Sequence, residues 1–258
     1  MRAADVLHRL KGNLGWLLAA MVIVSAGAWG FVALADEVAD NETRMVDTML
    51  LETIRDTYRP VWLVETFRDI TALGSNAVLV MAVLATAVFL LISRRPKMML
   101  YVVTSVVLGS LLVYVLKGSF DRDRPVFAGQ PATATASFPS GHAALSAVVY
   151  VTLGGLLSQV TRRWRIKAFF IVAALLLTLL VGFSRIYLSV HWPSDVLGGW
   201  SLGLAWATLS YALLRVLQVR QWLEGPGYRL TDHGEEPLAE TPLDEPENRR
   251  LADMPAGS

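Results

Sequence analysis

One polar stretch, residues 184–195, combines the side chains that could transfer a phosphoryl group. It reads Ser-Arg-Ile-Tyr-Leu-Ser-Val-His-Trp-Pro-Ser-Asp and separates two apolar runs. The neutral imidazole of His191 could attack phosphorus. Asp195 could hold the other ring nitrogen and fix the tautomer, while Arg185 could bind the phosphoryl oxygens with paired hydrogen bonds. We therefore expect this stretch to form half of a phosphoryl-transfer site.

Two further cations come from a second polar stretch, residues 117–140. Lys117 begins it, and Arg124 follows directly before a proline. Each cation alone could simply anchor a helix at a membrane surface. Together with Arg185, however, they would repel one another unless an anion joined them. Phosphate is the natural candidate, since Arg binds its oxygens bidentately and Lys binds them as a point charge.

The same stretch ends in Pro-Ser-Gly-His, directly before an apolar run. Ser140 is a good candidate for the N-cap of the helix that this run predicts. Gly141 allows a ligand to approach the backbone, and free N–H groups at a helix start bind anions. His142 would then lie beside the phosphate, where it could protonate the leaving group and later activate water.

The composition places this chemistry in a membrane. The 258 residues are 54% hydrophobic and only 17% charged, and the mean hydropathy is +0.46. Soluble domains are usually about a quarter charged. The chain has no cysteine, which excludes disulfides, thiolate metal sites and a cysteine nucleophile.

Six apolar runs are long enough to cross a bilayer as helices, so the predicted fold class is all-α. They are residues 14–35, 71–92, 98–115, 143–160, 168–188 and 196–217. We expect the first run to be an uncleaved helix, although a signal peptide is the competing interpretation. In the last helix, Pro193 is suited to the start, and the Gly199-x3-Gly203 pair favours close helix packing.

Charge asymmetry predicts the orientation of these spans. The short turns at 94–97 and 162–167 are strongly basic, so both termini and these turns are expected in the cytoplasm. The acidic segment 36–70 belongs outside. The stretches 117–140 and 184–195 then also face outside and can form one site.

The segment 36–70 contains an amphipathic helical pattern. Its apolar positions are Met45, Val46, Met49, Leu50 and Ile54, with polar residues such as Asp47 and Glu52 between them. We expect a helix that lies on the membrane or packs on the bundle, with packing preferred. The domain prediction is an N-terminal part at 1–69, a catalytic core at 70–217 and a disordered cytoplasmic tail at 218–258, which is rich in Pro, Glu and Asp.

The three clusters resemble the signature of the type 2 phosphatidic acid phosphatase (PAP2) superfamily, which is shared with vanadium haloperoxidases. That pattern is Lys-x6-Arg-Pro, then Pro-Ser-Gly-His, then Ser-Arg-x5-His-x3-Asp. It occurs here without departure at 117–125, 139–142 and 184–195. The resemblance to the six-helix membrane core of that family covers roughly residues 70–217.

The resemblance implies a role for each motif residue. Phosphate binding would fall to Lys117, Arg124, Ser140, Gly141 and Arg185. Catalysis would fall to His142 as acid and base, His191 as the nucleophile that forms a phosphohistidine, and Asp195 as its partner. The resemblance also implies hydrolysis without a metal or other cofactor, and inhibition by vanadate.

The function expected from residues and resemblance is a lipid phosphatase at the outer face of the cytoplasmic membrane. Family substrates include undecaprenyl diphosphate, phosphatidylglycerol phosphate and phosphatidate, and the isoprenyl diphosphate is preferred among them. The partners expected are the membrane and a lipid phosphate, with no nucleic acid and no obligate protein partner. The alternatives are a lipid phosphotransferase, a vanadium haloperoxidase, which the six predicted spans disfavour, and a non-enzymatic scaffold.

Overall fold

The computed structural model describes residues 14–125, 136–161 and 163–219, and within these ranges the regular structure is entirely helical. The predicted all-α class is therefore confirmed. The helices are α1 Leu14–Ala39, α2 Arg44–Asp56, α3 Val61–Ala72, α4 Asn76–Ile92, α5 Pro96–Lys117, α6 Gly141–Leu157, α7 Trp164–Tyr187 and α8 Pro193–Val219. A π-helical turn at Ala147–Val151 lies within α6.

Four of these helices, α1, α5, α7 and α8, are long and apolar enough to cross a membrane. The pair α3 and α4, bent by 44°, could supply a fifth span, and α6 is a shorter apolar helix. The predicted helical membrane protein is confirmed by these helices. The count of six spans stays a prediction.

The second expected span does not begin at Thr71. This residue lies near the end of α3, and the chain bends before α4 starts at Asn76. Ser75 occupies the N-cap of α4, where its hydroxyl accepts a hydrogen bond from the Val78 N–H at 3.4 Å. The predicted span at 71–92 is therefore divided, because the Ser75 N-cap begins a new helix, α4, after the end of α3.

Close packing of α8 against α6 holds the centre of the fold. A Cβ at Gly199 would lie 2.8 Å from the Ser140 carbonyl oxygen, and one at Gly203 would lie 2.5 Å from the Ala144 carbonyl oxygen. No side chain fits there, so the predicted role of this glycine pair in helix packing is confirmed. The contact brings the start of α8 beside the start of α6.

The predicted amphipathic helix exists as α2 and packs on the bundle, although most of its apolar positions stay exposed. Met45 and Met49 are 73% and 60% exposed, whereas Asp47 and Leu51 are buried. Leu51 joins a cluster with residues of α6, α7 and α8, and Ile54 from the apolar stripe packs against that cluster. The preferred expectation that this helix packs on the bundle is therefore confirmed, and an ion pair with Arg122 draws Asp47 inward beside it.

At the C-terminal end of the described residues, helix α8 continues through Gln218 to Val219. The rest of the predicted tail, and the N-terminal basic segment, lie outside the described residues. The division into an N-terminal part, a core and a tail stays a prediction.

Candidate active site

His191 and Asp195 lie together where the loop after α7 meets the first turn of α8. Helix α8 begins at Pro193, as predicted, which places Asp195 in its first turn. The His191 Nδ1 and Asp195 Oδ2 atoms are 3.3 Å apart. Both residues are buried, at 1% and 0% exposure. Because Asp195 holds the ring at Nδ1, the Nε2 atom is the ring nitrogen left to face the cavity that His191 lines. A histidine nucleophile requires this geometry.

Asp195 is fixed by hydrogen bonds to both carboxylate oxygens. Its Oδ2 atom accepts from the Trp192 N–H at 2.8 Å and from the Ser137 hydroxyl. Its Oδ1 atom accepts from Arg122 Nη1 at 2.6 Å. The carboxylate plane therefore cannot rotate without breaking several bonds, and it in turn orients the His191 ring.

Burial lowers the pKa of His191 to about 4. The hydrogen bond and the charge of Asp195 act in the opposite direction, while Arg124 and Arg185 lower the pKa further. The ring is therefore neutral at pH 7, because the pKa lies well below that value. A neutral ring retains the lone pair that attack on phosphorus needs.

The three predicted cations converge on one cavity of about 780 Å³, which Gly141, His142 and His191 also line. Each cation donates a hydrogen bond to a neutral oxygen. Lys117 donates to Pro139 O at 3.2 Å, Arg124 donates to Val190 O at 3.4 Å, and Arg185 donates to Thr71 Oγ1 at 3.1 Å. The arrangement leaves room for an anion between the cations, as phosphate binding requires.

Ser140 occupies the N-cap position of α6, as predicted, although its side chain makes no capping hydrogen bond. The Ser140 backbone N–H donates instead to Asp195 O at 3.0 Å, which ties this residue to α8. Its buried hydroxyl has no partner among the described residues. A Cβ at Gly141 would meet open space, so the backbone beside His142 is accessible to a ligand.

The same cavity extends away from the cations into an apolar groove between α4 and α5. Its lining includes Leu79 and Val83 on α4, and Val107, Leu111 and Tyr114 on α5. Val107, Leu111 and Tyr114 are 57%, 54% and 77% exposed on the outer surface of the bundle. The cavity is therefore cationic at one end and apolar at the other, which suits an amphiphile with a phosphate head.

Two residues beside the site were not predicted from the sequence. Arg122 lies between Asp195 and Asp47, with Nη2 at 2.7 Å from Asp47 Oδ2. Arg122 belongs to an Asp-Arg-Asp-Arg run, in which alternation alone does not show which cation faces inward. The one available signal for Asp47 was its position four residues before Leu51, on the same helical face.

The chain is similar in sequence to two known phosphatases. The chain is 32% identical over 175 residues to phosphatidylglycerophosphatase B of Bacillus subtilis, which covers 67% of this chain and 86% of that protein. It is 34% identical over 124 residues to undecaprenyl-diphosphatase of Sulfolobus acidocaldarius, which covers 46% of this chain and 56% of that protein.

A solved structure shares the fold. It is the crystal structure of the first transmembrane PAP2 type phosphatidylglycerolphosphate phosphatase, from Bacillus subtilis. The TM-score is 0.68 at 28% sequence identity, over 74% of this chain and 96% of the solved one. Residues 98–218, which contain all three predicted motifs, match the PAP2 superfamily. The resemblance seen in the sequence is thereby confirmed, and the chain belongs to the PAP2 superfamily.

Proposed function

We propose that this PAP2 phosphatase removes a phosphate from the phosphate or diphosphate headgroup of a membrane lipid, through a phosphohistidine on His191. One observation carries the proposal. A single cavity joins His191 and three cations to an apolar groove between α4 and α5. A lipid phosphate has the same two parts, since its head is anionic and its tail is apolar.

In the first step, the Nε2 atom of His191 attacks the terminal phosphorus. A bond forms between nitrogen and phosphorus, and the bond from phosphorus to the leaving oxygen breaks. The bound phosphate stabilises the protonated form of His142, which gives its proton to that oxygen, so the dephosphorylated lipid leaves neutral at the cleaved position. Asp195 stabilises the positive charge that develops on the ring, as a carboxylate does for the histidine of a serine protease.

In the second step, water replaces the histidine on phosphorus. His142, now without its proton, takes a proton from the water as the oxygen attacks. The bond between phosphorus and His191 breaks, and inorganic phosphate leaves. Lys117, Arg124 and Arg185 neutralise the charge spread over the phosphoryl oxygens throughout, which is the main catalytic demand of phosphoryl transfer.

The substrate class follows from the two ends of the cavity. The relatives are named for phosphatidylglycerophosphate and undecaprenyl diphosphate, which share a terminal phosphate and a long apolar chain. We propose that this chain accepts lipids of that kind, with the isoprenyl diphosphate as the preferred one. The mainly apolar walls of the groove contact the lipid tail and not the headgroup, so the groove selects for the tail.

Phosphate release should persist in EDTA, because the cations of the site can neutralise the phosphoryl group without a metal. The test uses purified protein in detergent with undecaprenyl diphosphate, phosphatidylglycerol phosphate and phosphatidate, and the relative rates rank the lipids. The His191→Ala protein, purified in the same way, serves as the blank. Release that stops with EDTA and returns with a divalent cation would contradict the metal-free mechanism, and release only to an added lipid alcohol would indicate a phosphotransferase.

Blocking the groove should impair long-chain substrates selectively. Val107→Trp places a large ring in the α4–α5 groove, and we expect kcat/KM for a long-chain lipid phosphate to fall about tenfold or more. A short-chain phosphate ester should be hydrolysed at the normal rate. The matched control is Leu108→Trp, a neighbouring exposed position of α5 that does not line the cavity. Equal losses of kcat/KM for the long-chain and the short-chain substrates would contradict the proposal that the lipid tail binds in this groove.

We further propose that the site faces the outside of the cytoplasmic membrane, with both termini inside. The basic turns at 94–97 and 162–167 support this orientation. A cysteine introduced at residue 120 should react with a membrane-impermeant maleimide in intact cells, and one at residue 95 should react only after lysis. The opposite pattern would place the chemistry in the cytoplasm.

A further inference from the structure

Arg122 forms a buried bridge between the carboxylate of Asp195 and a second carboxylate, Asp47, on α2. Its Nη1 atom donates to Asp195 Oδ1 at 2.6 Å, and its Nη2 atom donates to Asp47 Oδ2 at 2.7 Å. The side chains of Arg122, Asp47 and Asp195 are 6%, 3% and 0% exposed. Burial at this level makes the charges interact strongly, because little water screens them.

Helix α2 delivers Asp47 to the start of α8. The Ser194 N–H donates to Asp47 Oδ1 at 2.9 Å, and the Ser194 hydroxyl donates to Asp47 Oδ2 at 2.5 Å. Ser194 precedes Asp195 in the first turn of α8. Arg122 Nη1 also donates to the Ser194 hydroxyl at 2.7 Å, and Nη2 donates to Thr43 Oγ1 at 3.0 Å. Helix α2 is thus hydrogen-bonded to the first turn of α8, which carries Asp195.

The two oxygens of Asp195 have separate tasks. Oδ2 faces His191 Nδ1, while Oδ1 receives Arg122. The guanidinium is planar, so its grip on Oδ1 fixes the rotation of the carboxylate and the direction of Oδ2. Asp47 holds the other end of the same guanidinium and balances its charge. Because Arg122 is paired with both Asp47 and Asp195, it neutralises Asp195 less completely. The negative charge of Asp195 therefore acts more strongly on His191.

We propose that Arg122 and Asp47 are positioning residues of the phosphatase reaction: Arg122 aims Asp195 at His191, and Asp47 moderates the charge of Arg122. The outer helix α2 is then part of the catalytic apparatus. This inference rests on the proposed function of His191 as nucleophile. Neither residue belongs to the three sequence motifs, and neither lines the substrate cavity.

If the bridge acts on His191, removing its negative charge and removing its positive charge should shift the pKa of the His191 ring in opposite directions. Asp47→Asn removes a negative charge near His191 and should lower the pKa of the ring. Arg122→Gln removes a positive charge and should raise the pKa. The other charged or titratable groups that act on the ring are Asp195, Arg124, Arg185 and His142, and they are the same in both variants. Opposite shifts show that both charges act on the ring, and the effect of Arg122→Lys on kcat, given below, separates positioning from charge alone.

The test follows the ring directly. The chain has four histidines, so NMR of protein labelled in the histidine ring, purified in detergent, gives few signals, and His191→Ala identifies the one needed. Each variant is titrated against the wild type, and kcat and KM for a lipid phosphate are measured in parallel. Glu52→Gln is the matched control, because Glu52 is an exposed carboxylate on the same helix.

We expect the His191 midpoint to fall in Asp47→Asn and rise in Arg122→Gln, with kcat at least tenfold lower in both and KM within about twofold of the wild type. Shifts in one direction, or shifts no larger than those of Glu52→Gln, would overturn the proposal. Arg122→Lys keeps the buried charge and guards against a variant that does not fold. Its kcat should still fall at least tenfold, since Lys cannot bridge two carboxylates in a planar fork, and a normal kcat there would also overturn the proposal.

Failure of the proposed function gives a different result. A wild-type protein that releases no phosphate from any lipid would contradict the phosphatase proposal. The titration shifts would still decide whether Asp47 and Arg122 act on His191. A fully active wild type with unaffected Asp47→Asn and Arg122→Lys variants would contradict only the positioning role.

Discussion

Replacing His191 with alanine should lower kcat for lipid phosphate by about 10⁴-fold or more, because the reaction loses its nucleophile. The cations that bind the phosphoryl group remain in place, so inorganic phosphate should still bind. Phosphate release by purified protein is measured at saturating lipid. Binding of inorganic phosphate is measured separately, as the rise that it causes in the thermal midpoint of unfolding. Retained phosphate binding would show that the site is intact and only the chemistry is lost.

The control for this variant is His233→Ala, which changes a histidine to which the sequence assigns no role. It should release phosphate at the wild-type rate. Activity above about one hundredth of the wild type in His191→Ala would show that another group can attack phosphorus, since loss of a covalent nucleophile normally costs far more. That result would remove His191 from its proposed role.

Asp195→Asn should lower kcat by about 10³–10⁴-fold with a small effect on KM. The loss of the equivalent carboxylate in a serine protease costs about 10⁴-fold, because the imidazole adopts the wrong tautomer. Here an amide could still accept from Arg122 with its oxygen, but its NH₂ group would then face His191 Nδ1. The ring would turn its lone pair toward the amide and its proton toward the substrate.

A matched change at an exposed carboxylate, Asp56→Asn at the end of α2, should leave both constants unchanged. The thermal midpoint of Asp195→Asn is measured alongside, because the carboxylate is buried and paired with Arg122. A folded Asp195→Asn protein with normal kcat would contradict the proposed role of the carboxylate. A raised KM with normal kcat would place Asp195 in substrate binding.

The parts of the site that the sequence predicted are those set by local spacing. His191 and Asp195 are four residues apart and lie at a helix start that Pro193 marks, so their contact follows from a single turn of backbone. The convergence of Lys117, Arg124 and Arg185 was inferred from their positions at the outer ends of separate predicted spans, and the repulsion between them indicated a bound anion. The resemblance to the PAP2 superfamily implied that all three bind phosphate.

The parts that the sequence did not predict depend on contacts between distant segments. The partners Asp47 and Arg122 are 75 residues apart, and the pattern of α2 showed Asp47 only as one of the polar residues between the apolar positions. Its burial depends on the ion pair with Arg122, because a buried charge without a partner is strongly unfavourable. Ser140 likewise lies at its predicted N-cap position, but its backbone is engaged by α8 and its hydroxyl makes no cap.

The most direct test of the account is to trap the covalent intermediate. Wild-type protein in EDTA is mixed with lipid carrying ³²P in its terminal phosphate and quenched in alkali within a single turnover. We expect label on the protein that is stable in alkali, is released by acid as a phosphohistidine would be, and maps to the peptide containing His191, with none in His191→Ala. Phosphate release without any labelled protein at times shorter than one turnover, or label on a residue other than His191, would contradict it.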